Sequence, residues 1–289
     1  MLPGQGMTGL VTDEAEAEDV CSLTTVRRMA AMLDQDGAQW RPGAPLPRGW
    51  HVALFAPSPA QAMLRTDGYA GPGIALPDAG LPRLLFGGRR LRFTGDITIG
   101  TALRRRTRLL SAVPKQGRSG RMMVATVGHT VLLGSTPVLT EEQDFLLLEA
   151  APSPADAASA DPLPADLRSE EEVPSEEQVF VADKRMLLRF CALTFNTHRI
   201  HYDHPYATGV EGYPALVVNG SLTGLMLTEL FRARARREPE ALTSRNLRPL
   251  FCGRQNRLHA QPGAGGASGS WRLWAEDDAG RLAVEMEAR

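Results

Sequence analysis

Apolar and polar positions alternate along this chain in two successions of the same kind, each a helix-period segment followed by strand-period segments. Val26, Met29, Ala30 and Leu33 share one face of a helix that begins near Thr24 and that Asp36-Gly37 would end. Residues 41–82 are broken by repeated Pro and Gly and predict loops with short elements. From Leu84 the period shortens to that of strands, at 91–93, 102–110, 122–128 and 130–133, with turn residues across 114–120. Residues 151–177 are rich in Pro, Ala and Ser and carry Glu170-Glu171-Glu172, the composition of an interdomain linker. The second succession then begins, with a strand entry at 178–184, an apolar helix at 186–193 and a loop at 205–214. Leu222, Leu225, Met226, Leu227, Leu230 and Phe231 are apolar on most sides of a helix, which predicts burial. Asn219, Gly220 and Ser221 stand at its start, and Arg232, Arg234, Arg236 and Arg237 suit the negative end of its dipole. Strands follow at 246–250, 256–260, 271–275 and 282–286. Helix first and antiparallel sheet after, twice, is an α+β architecture duplicated within one chain, although no sequence repeat is evident. The domains expected are a flexible 1–22, an N-terminal unit at 23–150, the linker at 151–177 and a C-terminal unit at 178–289.

Composition narrows the function classes. The 289 residues carry a formal net charge of -1, which argues against a nucleic-acid binder. Arginines are concentrated between Arg89 and Arg121, where a solvated sheet face accounts for most of them and a landing area for a phosphorylated ligand is the alternative. Cys21, Cys191 and Cys252 are far apart and fit a reducing cytoplasm better than a disulfide framework. No Lys or Arg precedes Arg27, unlike a signal peptide, and no apolar run is long enough to span a membrane. The glycines of 263–270 do not fit G-x-G-x-x-G, because Ser268 stands at the last glycine position.

Candidate chemistry concentrates in Thr194-Phe195-Asn196-Thr197-His198-Arg199-Ile200-His201-Tyr202-Asp203-His204, which holds three of the six histidines. A site for proton transfer beside the N-terminus of the apolar helix is the reading these residues support. His198, His201 and His204 also fit H-x-x-H-x-x-H, yet Pro205 and the lack of further ligands argue against a metal. His204 reads as a surface histidine.

These residues resemble those of the MaoC-like enoyl-CoA hydratases and dehydratases, whose signature is D-x-N-P-x-H. His201 matches the histidine of that signature, Asn196 the aspartate and His198 the asparagine. Glu211-Gly212-Tyr213-Pro214-Ala215-Leu216-Val217-Val218-Asn219-Gly220 is similar to the subgroup of mitochondrial-type 3-hydroxyacyl-thioester dehydratases and of mesaconyl-C4-CoA or itaconyl-CoA hydratases. In the first half, Pro47-Arg48-Gly49-Trp50-His51, Gly87-Gly88-Arg89-Arg90-Leu91-Arg92-Phe93, Gly117-Arg118-Ser119-Gly120 and Thr140-Glu141-Glu142-Gln143-Asp144 resemble its N-terminal dehydratase-like domain.

The resemblance implies a double hot-dog, two long helices each wrapped by an antiparallel sheet, with catalysis in the C-terminal half. It implies an acyl-CoA thioester as substrate, with coenzyme A as part of the substrate and no other cofactor. Hydration then needs a base, an acid for the α-carbon and donors for the thioester oxygen. His201 is the expected base, Asn196 the orienter of water, and the Gly220 N–H the oxyanion donor. His198, Asp203, Glu211 and Tyr213 are auxiliary candidates. A hot-dog thioesterase using Asp203 or Glu211, and a non-catalytic acyl-thioester-binding subunit, are the competing readings. Oligomeric state, a homodimer among the options, stays open.

Overall fold

The computed structural model describes residues 14–117, 120–150, 176–263 and 269–289. The expected linker lies outside the described residues except for its last two, which open a strand.

Among the described residues ten strands form one continuous sheet: β1 (Glu14–Val20), β2 (Arg83–Phe93), β3 (Ala102–Gly117), β4 (Gly120–Leu133), β5 (Thr136–Leu148), β6 (Glu176–Phe180), β7 (Ala241–Asn246), β8 (Asn256–Pro262), β9 (Trp271–Glu276) and β10 (Leu282–Ala288). Their order is β1-β3-β4-β5-β2-β7-β10-β9-β8-β6, with every pairing antiparallel. Replacing β1 to β5 by β6 to β10 turns one half of that order into the other, so the duplication expected from the pattern is present in the topology. The halves meet where β2 pairs with β7, from Gly88 opposite Arg245 to Arg92 opposite Ala241. This pairing covers two edges that would otherwise be open.

Among the described residues four α-helices accompany the sheet: α1 (Leu23–Met32), α2 (Lys184–Thr194), α3 (His204–Gly209) and α4 (Gly220–Ala235). Ser22 Oγ caps α1 by accepting from Thr25 N, and Asp183 caps α2 by accepting from Met186 N. The apolar faces of α4 lie on β8, β9 and β10, and Leu222, Leu227 and Phe231 are fully buried. Each such side chain contributes about 1.5–3 kcal/mol by leaving water.

Several expectations change. Among the described residues the N-terminal half has no second long helix: α1 is 10 residues long and packs on α2 and on the helical turns at Gly37–Gln39 and Trp50–Ala53. Where a central helix would run, residues 41–82 carry prolines such as Pro57, Pro59, Pro72 and Pro77, which remove backbone donors and block helix propagation. Residues 14–20, expected within the flexible N-terminus, form edge strand β1 because Glu14, Glu16 and Glu18 stand opposite Arg108, Arg106 and Arg104. Arg106 Nε lies 2.8 Å from Glu16 Oε1. The strand expected at 246–250 lies instead at β7, earlier in the chain, since Pro249 cannot donate to a ladder. Residues 204–209, expected as loop, make the short helix α3, whose first turn accepts Pro205.

The halves are also tied across α4. Trp50 Nε1 donates to Glu229 Oε1 at 2.7 Å, and Arg232 Nη2 donates to the Arg48 carbonyl at 2.7 Å. Gly49, at φ 101°, sits where a side chain would press on Thr228.

Candidate active site

A cavity of about 350 Å³ lies between the halves. Its walls come from the inner face of the N-terminal sheet, from the 51–73 segment, and from the histidine segment with the start of α4. Among the described residues no central helix covers the inner face of β2 to β5, and the cavity lies there.

The histidine segment begins as α2 ends. Phe195 closes that helix at φ 49°, and its N–H bonds the Cys191 carbonyl. Asn196 Oδ1 then accepts from His198 N at 3.0 Å, so the amide oxygen is spent on the turn and the Nδ2 group is left to donate. Arg199, Ile200 and His201 form one helical turn, which seats the imidazole against the core. His201 is 7% exposed, and its Nδ1 lies 2.8 Å from the Val217 carbonyl oxygen. A carbonyl only accepts, so Nδ1 carries the proton and Nε2 keeps a lone pair. Burial, and then the neighbouring His198, lower its pKa to about 3 against the opposing pull of the Val217 bond. His201 is therefore neutral throughout the physiological range.

The ring of His198 stands edge-on to His201, with centroids 5.5 Å apart, and 5.8 Å from the ring of Tyr69. Burial lowers its pKa too, against Asp67 and Glu211. Residues 65–69 of the N-terminal half hold this loop in place. Arg199 N donates to the Asp67 carbonyl at 2.8 Å, and Thr197 Oγ1 donates to the Gly68 carbonyl at 2.6 Å.

At the start of α4, Asn219 makes no side-chain cap hydrogen bond, and its amide lies 3.8 Å from Cys191 Sγ. The first N–H groups of the helix thus open toward the cavity that Gly220 and Ser221 line. A Cβ at Gly220 would fall 2.8 Å from Asn246 Nδ2, so the packing itself favours glycine there. That amide donates to the Phe86 carbonyl at 3.1 Å and ties the end of β7, beside the helix start, to β2.

His201, Asn196, Gly220, His198 and Tyr213 all line the cavity. Asp203 and Glu211 do not. Asp203 caps α3 through Tyr206 N at 3.1 Å and pairs with Arg199 at 2.9 Å. Glu211 pairs with Arg83 at 3.0 Å and accepts from the Tyr206 hydroxyl at 3.1 Å. Both are engaged away from the cavity, which removes them as auxiliary groups. Tyr213 accepts from Arg83 Nη2 at 3.2 Å, and burial raises its pKa. His204 is exposed at the first position of α3.

The opposite wall carries groups to which the sequence reading gave no role. Glu141 is 7% exposed and lies 3.4 Å from Arg89 Nη1 and 3.5 Å from His51 Nε2. Burial pushes its pKa up, but Arg89 and His51 together hold it well below the usual carboxylate range. Arg89 also donates to Ser221 Oγ at the start of α4. His129 Nδ1 lies 2.9 Å from Thr107 Oγ1, and burial lowers its pKa to about 4. Strand alternation separates these groups from the solvated arginines: Leu103, Arg105 and Thr107 face inward while Arg106 and Arg108 are exposed.

A neutral imidazole facing a cavity at the junction of two sheet-and-helix halves is equipped for proton transfer to a bound ligand, and comparison with known proteins gives the class. Residues 49–252 match the family hydroxyacyl-thioester dehydratase type 2, and the chain belongs to that family. It is 37% identical over 252 residues to the mesaconyl-C(4)-CoA hydratase of Chloroflexus aurantiacus, covering 87% of this chain and 86% of that one. Among solved structures, a MaoC-like dehydratase from Phytophthora capsici superposes with a TM-score of 0.70 at 16% identity, over 96% of this chain and 95% of that one. A Mycobacterium tuberculosis protein described as having a double hotdog fold gives 0.58 at 15%, over 98% and 96%. The fold is a double hot-dog, and the chain is a hydratase/dehydratase of acyl thioesters.

Proposed function

We propose that the chain adds water reversibly across the double bond of a short dicarboxylic enoyl-CoA, with mesaconyl-C4-CoA first and itaconyl-CoA second. The observation that carries the reading is the committed tautomer of His201, whose Nδ1 is held by Val217 while Nε2 is free to accept. In this scheme Nε2 takes a proton from water as its oxygen bonds to the β-carbon. Asn196 Nδ2 donates to the water's second lone pair and fixes its direction. The double-bond electrons move toward the thioester oxygen, where the Gly220 N–H and the α4 dipole stabilise the developing charge. The imidazolium then returns its proton to the α-carbon, so water adds whole and the base is regenerated.

One group serves as base and acid here because Glu141 is kept ionised by Arg89 and His51 and has no proton to give near neutrality. Asp203 and Glu211, the carboxylates a thioesterase was expected to use, are engaged in ion pairs with Arg199 and Arg83. The 37% identity to the Chloroflexus aurantiacus enzyme supports the choice of acyl group. The test is to present crotonyl-CoA and mesaconyl-C4-CoA to the pure protein. Loss of enoyl absorbance, faster with the second, is the expected result. Release of free thiol without hydration, or binding without turnover, overturns it.

A further inference from the structure

The cavity contains a cation with no ion-pair partner of its own among the described residues. Arg105 projects from β3 on the inner face, where Ala17 of β1 and Val131 of β4 are its register neighbours. Its Nε is buried with no hydrogen-bond partner. The carboxylates whose charge reaches it are Glu141 and Asp19, and both are committed elsewhere. Glu141 is held by Arg89, His51 and Gln143, and Asp19 accepts from Phe55 N at 2.5 Å and from Val20 N at 2.7 Å. The guanidinium instead lies against the Phe55 ring, 5.1 Å from its centroid. Gly73 leaves room beside it, since a Cβ at Gly73 would stand 3.3 Å from Nη2.

Leaving a half-buried cation without an ion pair is costly, and desolvation lowers the pKa of Arg105. Burial keeps His129 and His201 neutral, so they neither repel nor neutralise it. Arg89, the comparable cation on β2, is already shared between Glu141 and Ser221. Arg248 also lines the cavity and has a partner. Tyr69 links Arg105 to the histidine loop: its ring lies beside that of His198 and it is within electrostatic reach of Arg105.

We infer that Arg105 is the specificity residue of the cavity and receives a second carboxylate of the acyl group, the one borne on the β-carbon in a C4-linked dicarboxylic thioester. A planar guanidinium with unspent N–H groups matches a carboxylate by two parallel hydrogen bonds, and a methyl in the same place leaves the half-buried charge unpaired. This rests on the function proposed above, so the test measures binding separately from turnover. Full-length protein is titrated calorimetrically with succinyl-CoA and butyryl-CoA, saturated thioesters that differ by carboxylate against methyl on the β-carbon. The wild type should favour succinyl-CoA by roughly 10-fold or more, as a charge-assisted pair predicts. Arg105→Gln should bring that ratio to about one, and Arg105→Lys, which keeps the charge but loses the fork, should fall between. A wild-type ratio of one overturns the assignment without any variant, and so does a ratio that survives Arg105→Gln. Failure of the wild type to hydrate either enoyl-CoA would sink the proposed function, while the ratio would still judge Arg105.

Discussion

Because Nδ1 of His201 is spent on the Val217 carbonyl, replacing the ring removes a structural hydrogen bond together with a base. His201→Ala should cut hydration of crotonyl-CoA by about 100-fold or more. It should also cost about 1–3 kcal/mol in urea unfolding, since the Val217 carbonyl is left buried and unpaired. Ile200 and His201 are both buried, so the fold as well as the chemistry depends on this turn. Turnover close to wild type in a folded variant would remove His201 from the chemistry. The lowered pKa has a sign that can be checked in two ways. The neutral base persists from pH 8 to pH 5, so kcat/KM should show no acid limb centred near 6.5 from His201. Stability moves the other way. Unfolded histidine takes up a proton below about 6.5 whereas folded His201 waits until about 3 and folded His129 until about 4. The unfolded state therefore binds more protons in that window, and the urea midpoint should fall as pH drops from 7 to 5, by up to about 1.4 kcal/mol per pH unit for each such group. A midpoint that rises over that range would contradict neutral burial.

At the scale of elements, the catalytic loop is held from outside its own half. Gly68 has φ 80°, and a Cβ there would lie 2.2 Å from the Thr197 carbonyl oxygen. Gly68→Ala should push the 197–201 loop away from α4, costing about 2 kcal/mol or more and lowering kcat by roughly 10- to 100-fold. Melting and steady-state hydration measure both, and an Ala variant with wild-type kcat would deny the loop its positioning role. Legibility followed the range of the forces involved. The α4 face and its small, polar start were visible because they depend on residues a turn apart. The residues Asn196, His198 and His201 were visible as one short segment. By contrast, β1 has an acidic alternation whose partners are arginines on β3, far along the chain, and nothing local marks it as a strand. Arg105 was hidden among solvated neighbours, because only the side of the sheet separates it from Arg106. Glu141 and Arg89 stood in recognised motifs but gained a role only once β5 and β2 lay across the cavity from the histidines.

At the scale of the molecule, neither half is complete. The C-terminal half carries His201, Asn196 and Gly220, yet the N-terminal half supplies the opposite wall, the 65–69 support and the strand that covers β7. Residues 176–289 expressed alone should not hydrate crotonyl-CoA, whereas co-expression with 1–150 as a separate chain should restore an active complex that elutes as one species. Activity in the isolated C-terminal half would show that the cavity needs no second wall. The strand order carries a further consequence. Reversal exchanges the two halves, as it would in a dimer of identical hot-dog subunits, where whatever one subunit changes its twin must change as well. Joined in one polypeptide, the copies are freed from that obligation. One holds the long helix α4 and the histidine loop; the other, among the described residues, has no helix of that length and gives its inner sheet face to the cavity. The cost is arithmetical, one reaction centre where a symmetric pair would hold two, and in exchange the binding surface can be tuned without disturbing the chemistry.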